Sequence, residues 1–190
     1  MLFDKNNELS EVLKISFDAF NQAAKDPGHP FRFMSLATTH QQVPHIRYVV
    51  LRAMDGAGNL YFFTDYWTKK VEHIQANPEI ALLFYDPNER SQIRMKGKAL
   101  INRNNATSEK YWEMVEGEAR KAYNPRVRSG TPILNPEEAH EWPAELVRTN
   151  FAVIQVTPSE LDVLQLDGLS HIRAKFLRMG DSWKMDWVAP

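Results

Sequence analysis

Between Phe31 and Ile101 the chain is a succession of short β-branched and aromatic runs, each closed by a turn signal, with one break of a different character in the middle. Runs of this kind pack as strands, because branched and ring side chains fit a pleated, half-buried surface. The runs are Phe31 to Thr38, His45 to Met54, Leu60 to Thr64, Ile80 to Tyr85 and Gln92 to Ile101. They are separated by Gln41-Gln42, by Asp55-Gly56-Ala57-Gly58-Asn59 and by Asp86-Pro87-Asn88-Glu89, all turn formers. Connections this short join antiparallel neighbours, so a barrel-like antiparallel body is predicted. Polar side chains are spaced along this framework, namely Arg47, Arg52, Thr64, Lys70 and Gln92.

The break is Tyr66-Trp67-Thr68-Lys69-Lys70, which reads as a helix start running to Asn77-Pro78. The Thr68 hydroxyl is placed to cap free backbone N–H groups, yet two lysines follow where the helix dipole already presents positive charge. That combination costs stability unless an anion sits there. Phosphate is the natural candidate, since a helix start offers unpaired donors as well as the favourable end of the dipole.

The flanks are helical or irregular, followed by more β structure. Leu9, Val12, Leu13, Phe17 and Phe20 recur at helical spacing and predict an amphipathic helix over 7–25, ending before Asp26-Pro27-Gly28. A second helix is predicted from Asn105 to Lys121. It leads into a proline- and charge-rich stretch, Tyr123 to Pro143, read as a functional loop or lid. The tail returns to strands at Phe151 to Val156, Glu160 to Gln165, His171 to Leu177 and Ser182 to Val188. Helices bracket the strands rather than alternate with them, which argues against a doubly wound parallel sheet. The expectation is a single domain over 1–190, mainly β with flanking helices (α+β), with a barrel core over 31–102, a helix and loop over 105–143 and C-terminal strands over 148–190.

Charge and composition narrow the function classes. The 23 basic and 24 acidic residues nearly cancel and are scattered, so no broad electrostatic grip on nucleic acid or an acidic membrane is expected. The absence of cysteine rules out disulfides, thiolate metal sites and a thiol nucleophile, so redox chemistry would need a bound cofactor. No metal site is expected: Glu137 and His140 have a Glu-x-x-His spacing, but a bundle di-iron site needs two such motifs and further carboxylates. The acidic, polar start MLFDKNNELSEVLK does not read as a secretory signal and no stretch reaches membrane-spanning length, so a cytoplasmic location is the expectation.

The run Arg47-Tyr48-Val49-Val50-Leu51-Arg52, then Phe63-Thr64-Asp65, then Thr68-Lys69-Lys70, resembles in order and spacing the flavin-binding motifs of the pyridoxamine 5'-phosphate oxidase family. Asn77-Pro78, Phe84-Tyr85 and Arg90-Ser91-Gln92-Ile93 with Gly97 look like that family's next strand pair. His171-Ile172-Arg173 and the stretch Trp183 to Pro190 are similar to its C-terminal pattern. The resemblance implies an antiparallel FMN-binding split β-barrel that forms a homodimer with FMN at the subunit interface. It further implies that Arg47 and Lys70 pair with the flavin phosphate, with Lys69 supporting them and Thr64 and Thr68 beside them. Tyr48, Val49, Val50 and Leu51 would line the isoalloxazine through backbone groups, with Phe63 next to them in the pattern. Gln92 would hydrogen-bond the flavin or its ribityl chain, and Arg173 would approach from the partner subunit. A phosphate monoester suits an arginine fork joined to a compact lysine charge.

Structural roles compete with these readings. Arg47 and Arg52 lie five apart on one strand and should face opposite sides, and a lone strand arginine is commonly solvated. Lys69 and Lys70 could be a solvated helix face near Glu72, Gln92 an exposed strand residue, and Arg173 the partner of an acid such as Asp162 or Asp186. By the resemblance, Arg52, Tyr111 and His171 are the candidate substrate-binding residues. The family's substrate motif Arg-x-His, however, reads Leu169-Ser170-His171 here, and Trp187 stands where its oxidases typically carry arginine. The positions four and eight after Tyr111 are Val115 and Ala119 rather than arginine and serine. The activity implied is that of an FMN-dependent oxidoreductase acting on an unassigned small molecule, with no catalytic residue assigned. The alternatives are an authentic pyridoxamine 5'-phosphate oxidase, a non-catalytic FMN carrier or sensor, and a β-barrel binding module.

Overall fold

A computed structural model describes residues 1–190. The predicted strands form, with shifted ends: β1 (Phe33–His40), β2 (Val43–Met54), β3 (Leu60–Asp65), β4 (Glu79–Asp86), β5 (Ser91–Asn102), β6 (Phe151–Gln165), β7 (Ile172–Met179) and β8 (Ser182–Val188). All neighbours are antiparallel in the order β3-β2-β1-β4-β5-β6-β7-β8, and a further pairing of β3 with β6 closes the first six strands into a barrel. β7 and β8 continue the sheet outward from β6. The predicted antiparallel split barrel is therefore the observed architecture.

Alternation places the core. On β4 and β5 every second residue is buried, so Ile80, Leu82, Phe84, Ile93 and Met95 meet Leu36 and Leu51 inside the barrel. Helix α1 (Leu9–Lys25) closes one end with Val12, Phe20 and Ala23, its first turn held by a reciprocal pair between Glu8 and Glu11. Phe20 packs against Phe84 with ring centroids 4.5 Å apart. A smaller apolar cluster lies on the outer face of β3 and β6, where Tyr61, Phe151 and Val153 receive Tyr111, Val115 and Tyr123 from the segment beyond β5.

Several boundaries differ from the sequence expectation. Residues Pro30–Arg32 make a 3₁₀ turn rather than the start of β1, with the His29 ring accepting the Phe31 N–H. The expected helix from Asn105 to Lys121 is shorter: α3 (Ala106–Glu113) stops, and a 3₁₀ segment follows over Gly117–Tyr123. The left-handed backbone of Gly117, φ 51°, cannot continue an α-helix. The two expected strands from Phe151 to Val156 and from Glu160 to Gln165 are one, because Pro158 faces Gly97 where the β5–β6 register shifts. A Cβ on Gly97 would lie 2.5 Å from the Thr157 carbonyl oxygen, so only glycine lets the two backbones approach this closely. No helix is long and apolar enough to cross a membrane.

Candidate functional site

The site begins where β3 hands over to α2 (Lys69–Ala76). Thr68 has the extended backbone of an N-cap, but its hydroxyl does not cap as expected. It donates instead to the Asp65 carbonyl oxygen at 2.8 Å, a bond that closes the Asp65–Thr68 turn. The first N–H groups of α2 are thereby left without a side-chain partner. The Lys70 ammonium folds back over this opening and donates to Thr64 Oγ1 at 3.0 Å.

Arg47 approaches the same place from β2. Its Nη1 donates to Thr38 Oγ1 at 2.6 Å and to the carbonyl oxygens of His45 and Leu36 at 3.2 and 3.4 Å, which fixes the guanidinium plane. Thr38 in turn contacts His73 Nδ1 at 3.0 Å. One hydroxyl thus links Arg47 on β2 to His73 on α2. Burial, then the charge of Arg47, pushes Lys70 below its ordinary value, with only Asp65 acting the other way. Burial also lowers Arg47. Neither cation forms an ion pair, so two positive charges stand beside the free amides at the start of α2, which is the donor set of a phosphate cradle. The residues present fit the phosphate end of FMN.

The two lysines part company here. Lys69 is exposed and pairs with Glu72 at 3.0 Å, the solvated-face alternative, whereas Lys70 turns inward. On β2, Val49 and Leu51 point into the core while Ile46 and Tyr48 stand exposed and Val50 is half-buried. The β2–β3 ladder holds only at Leu51, Ala53 and Met54. Over Tyr48 to Val50 the strands have split, which leaves that edge of the β2 backbone outside the sheet.

Other sequence candidates lie elsewhere in the protomer. Gln92 pairs with Leu164, which pairs with Arg173, so the two share one row across β5, β6 and β7, on the far side of β1 and β4 from Arg47. Arg173 forms a fork with Asp162 at 2.8 and 2.7 Å, and Arg94 reaches the same carboxylate at 2.6 Å. Burial opposes the Asp162 charge, but the hydrogen bond from Arg173 and the charge of Arg94 outweigh it and hold the carboxyl below its usual range. His171 is exposed and accepts the Asp167 N–H at Nδ1 at 3.1 Å, a bond within the β6–β7 connection. Tyr111 is buried against Tyr61 and Phe63, with centroids 5.2 and 5.3 Å away. Arg52 faces away from Arg47, as its spacing predicts, into a cavity shared with Phe63, Val115 and Ala119. Tyr111 stands behind that cavity rather than lining it.

Sequence reasoning missed Thr38 and His73, which orient Arg47, and Arg128, whose guanidinium stacks 4.4 Å above the Trp67 ring beside the start of α2. Arg128 lies in the irregular stretch read as a lid, and only the fold shows where it lands.

A split antiparallel barrel with a cationic cradle at a strand-to-helix turn defines a protein that holds a phosphate-bearing ligand. Comparisons with known proteins agree. Residues 14–103 match the family model described as pyridoxamine 5'-phosphate oxidase, FMN-binding domain. A pyridoxine/pyridoxamine 5'-phosphate oxidase of Rubrobacter xylanophilus is 30% identical over 177 residues, covering 83% of this chain and 76% of that protein. Its namesake in Pseudomonas entomophila is 42% identical over 66 residues, a match that spans only 34% of this chain and 30% of the relative. The crystal structure of a pyridoxamine 5'-phosphate oxidase-related, FMN-binding protein of Nostoc punctiforme superimposes with a TM-score of 0.77 at 21% identity, over 92% of this chain and 96% of the other. The chain belongs to the FMN-binding pyridoxamine 5'-phosphate oxidase-like family, and its cofactor is FMN.

Proposed function

We propose that the protein is an FMN-dependent oxidoreductase that works as a homodimer, with FMN at the subunit interface and a small molecule other than pyridoxamine 5'-phosphate as its substrate. The observation that carries this reading is the pairing of Arg47 and Lys70, two partly buried cations beside an uncapped helix start with no carboxylate bonded to either. FMN, when bound, supplies hydride and electron chemistry that no side chain of this cysteine-free protein offers. The chain's own part is to bind and orient. Arg47, Lys70 and Thr64 hold the phosphate end, the free edge of β2 offers backbone groups to the ring system, and Phe63 shields one side from water. The bond from the Asp167 N–H fixes the His171 tautomer with its proton at Nε2, a donor facing outward.

Dimerisation rests on two features. Exposed Phe33, Ile46, Tyr48 and Tyr85 share one face of β1, β2 and β4. Gln92 on β5 and Arg173 on β7 each lie three strands round the closed barrel from Arg47 on β2, and a second subunit would bring its own pair to the ligand. A Tyr48→Glu variant is expected to become monomeric and lose FMN together, as read by light scattering and visible absorbance.

Authentic vitamer oxidation is the second reading, supported by the names of the curated relatives. Leu169, in the family's arginine position, is fully exposed, and Val115 and Ala119 give the Arg52 cavity methyl groups where a second phosphate would need donors. The deciding experiment mixes FMN-loaded protein anaerobically with reduced nicotinamides and then follows peroxide release on adding pyridoxamine 5'-phosphate in air. Bleaching of the flavin without vitamer-dependent peroxide supports the proposal. Peroxide from the vitamer restores the oxidase, and no bleaching by any donor makes the protein a carrier.

A further inference from the structure

The Arg52 cavity carries a second message, about the charge and shape of what it admits. It lies outside the barrel between β2, β3 and the chain from Met114 to Tyr123, with a volume of about 250 Å³. Ligand pockets typically run ~300–1,000 Å³, so this one suits a single small molecule or the end of a larger one. Six of its nine lining residues are hydrophobic. Its charged groups are Arg32, Arg52 and Glu116, a net of one positive charge, and none of them belongs to an ion pair.

Resting on the oxidoreductase reading above, we propose that this cavity is the substrate site and takes the carboxylate of a small apolar monoanion, with Arg52 gripping it and Arg32 and Tyr123 in support. Arg32 is built in rather than free to swing: its Nη1 donates to the carbonyl oxygens of Ala23 and Ala24 at 3.1 and 2.5 Å, in the last turn of α1. Arg52 lies close enough that its charge, after burial, lowers Arg32, while Asp26 only partly offsets it. Two like charges held together with no bonded acid gain from an arriving anion. Burial pushes the Tyr123 phenol up, so it stays a hydroxyl donor at neutral pH.

The choice of a carboxylate over a phosphate follows from three features. A carboxylate matches the planar fork of one arginine through two parallel hydrogen bonds. A phosphate monoester carries roughly −1.5 to −2 charge at neutral pH, more than the net charge of the lining can balance, and Glu116 would repel the excess. Val115 and Ala119 occupy the helix side of the cavity with methyl groups, leaving further phosphate oxygens without donors, while the same methyl groups and the Phe63 ring favour an apolar body.

The test is calorimetric titration of the FMN-loaded protein with benzoate, its neutral isostere benzamide, and phenyl phosphate. Benzoate is expected to bind at least about tenfold more tightly than either. Arg52→Gln should erase the preference for benzoate over benzamide while retaining FMN, because Arg52 faces away from Arg47. Glu116→Gln should strengthen phenyl phosphate severalfold more than benzoate. Equal binding of benzoate and benzamide, tighter binding of phenyl phosphate, no benzoate binding at tens of millimolar, or loss of FMN from Arg52→Gln would each overturn the proposal. Benzoate binding to a protein whose flavin no donor reduces would sink the oxidoreductase reading, and with it the assignment as a substrate site, while the carboxylate preference of the cavity would stand. A reducible flavin with no discrimination among the three ligands would do the reverse.

Discussion

Lys70→Met separates a cofactor-binding lysine from a structural one. In the free protein the Lys70 ammonium makes one hydrogen bond, to Thr64 at 3.0 Å, and is opposed by burial and by Arg47. Losing that bond costs roughly 1 kcal/mol, which relief of an unpaired, partly buried charge offsets or exceeds. Methionine has a similar stem and should fill the space. The free variant is therefore expected to melt at the wild-type temperature or slightly above. With FMN bound the balance reverses, since a charge-assisted contact to phosphate contributes roughly 1.5–3 kcal/mol, a loss of about 10- to 150-fold in affinity. Quenching of FMN fluorescence on titration gives the affinity, and a thermal melt of the cofactor-free protein gives the stability. The reasoning fails if FMN affinity stays within twofold of wild type, or if the free variant melts more than about 5 °C lower, equivalent to a loss exceeding 1 kcal/mol for a chain this size.

Gly97→Ala is expected to destabilise by about 2–3 kcal/mol, through a methyl group forced to 2.5 Å from a carbonyl oxygen, and an unchanged melting temperature would mean the β5–β6 approach is not as close as described. Gln41 and Gln42 both hold positive φ, 49° and 64°, in the β1–β2 turn, so replacing them with Asn-Gly should raise stability by about 1 kcal/mol in a denaturant titration, and a loss would refute the turn geometry. Burial, then His45, His40 and Arg47, lower His73 below its ordinary 6.5, while Glu72 acts the other way. A depressed base binds fewer protons folded than unfolded, so this contribution is present above pH 6.5 and is lost as pH falls through the folded value. Melts between pH 7.5 and 5 should therefore show a slope that His73→Gln reduces, and identical slopes would refute the assignment.

The barrel was legible because its information is local. Alternation on β4 and β5 and compact turns determine neighbouring antiparallel strands, and two lysines at a helix start point to an anion from the sequence alone. What could not be read depends on chain segments distant in sequence. Nothing local distinguishes Lys69, which finds Glu72, from Lys70, which finds Thr64 and Arg47. Of the two acids the sequence offers Arg173, β6–β7 pairing selects Asp162, and Arg32 joins Arg52 only because α1 ends beside β2. The continuity of β6 depends on another strand, because Pro158 lies opposite Gly97 where the two backbones approach closely. The end of α3 was not legible either, because the left-handed backbone at Gly117 is set by the fold rather than by the residue type alone.

The central claim is that Arg47 and Lys70 hold the phosphate of FMN. A crystal structure of the FMN-loaded protein tests it most directly. The account predicts phosphate oxygens within hydrogen-bond reach of the Arg47 guanidinium, the Lys70 ammonium and the first N–H groups of α2. A flavin phosphate bound elsewhere, with Lys70 still resting on Thr64, would contradict it.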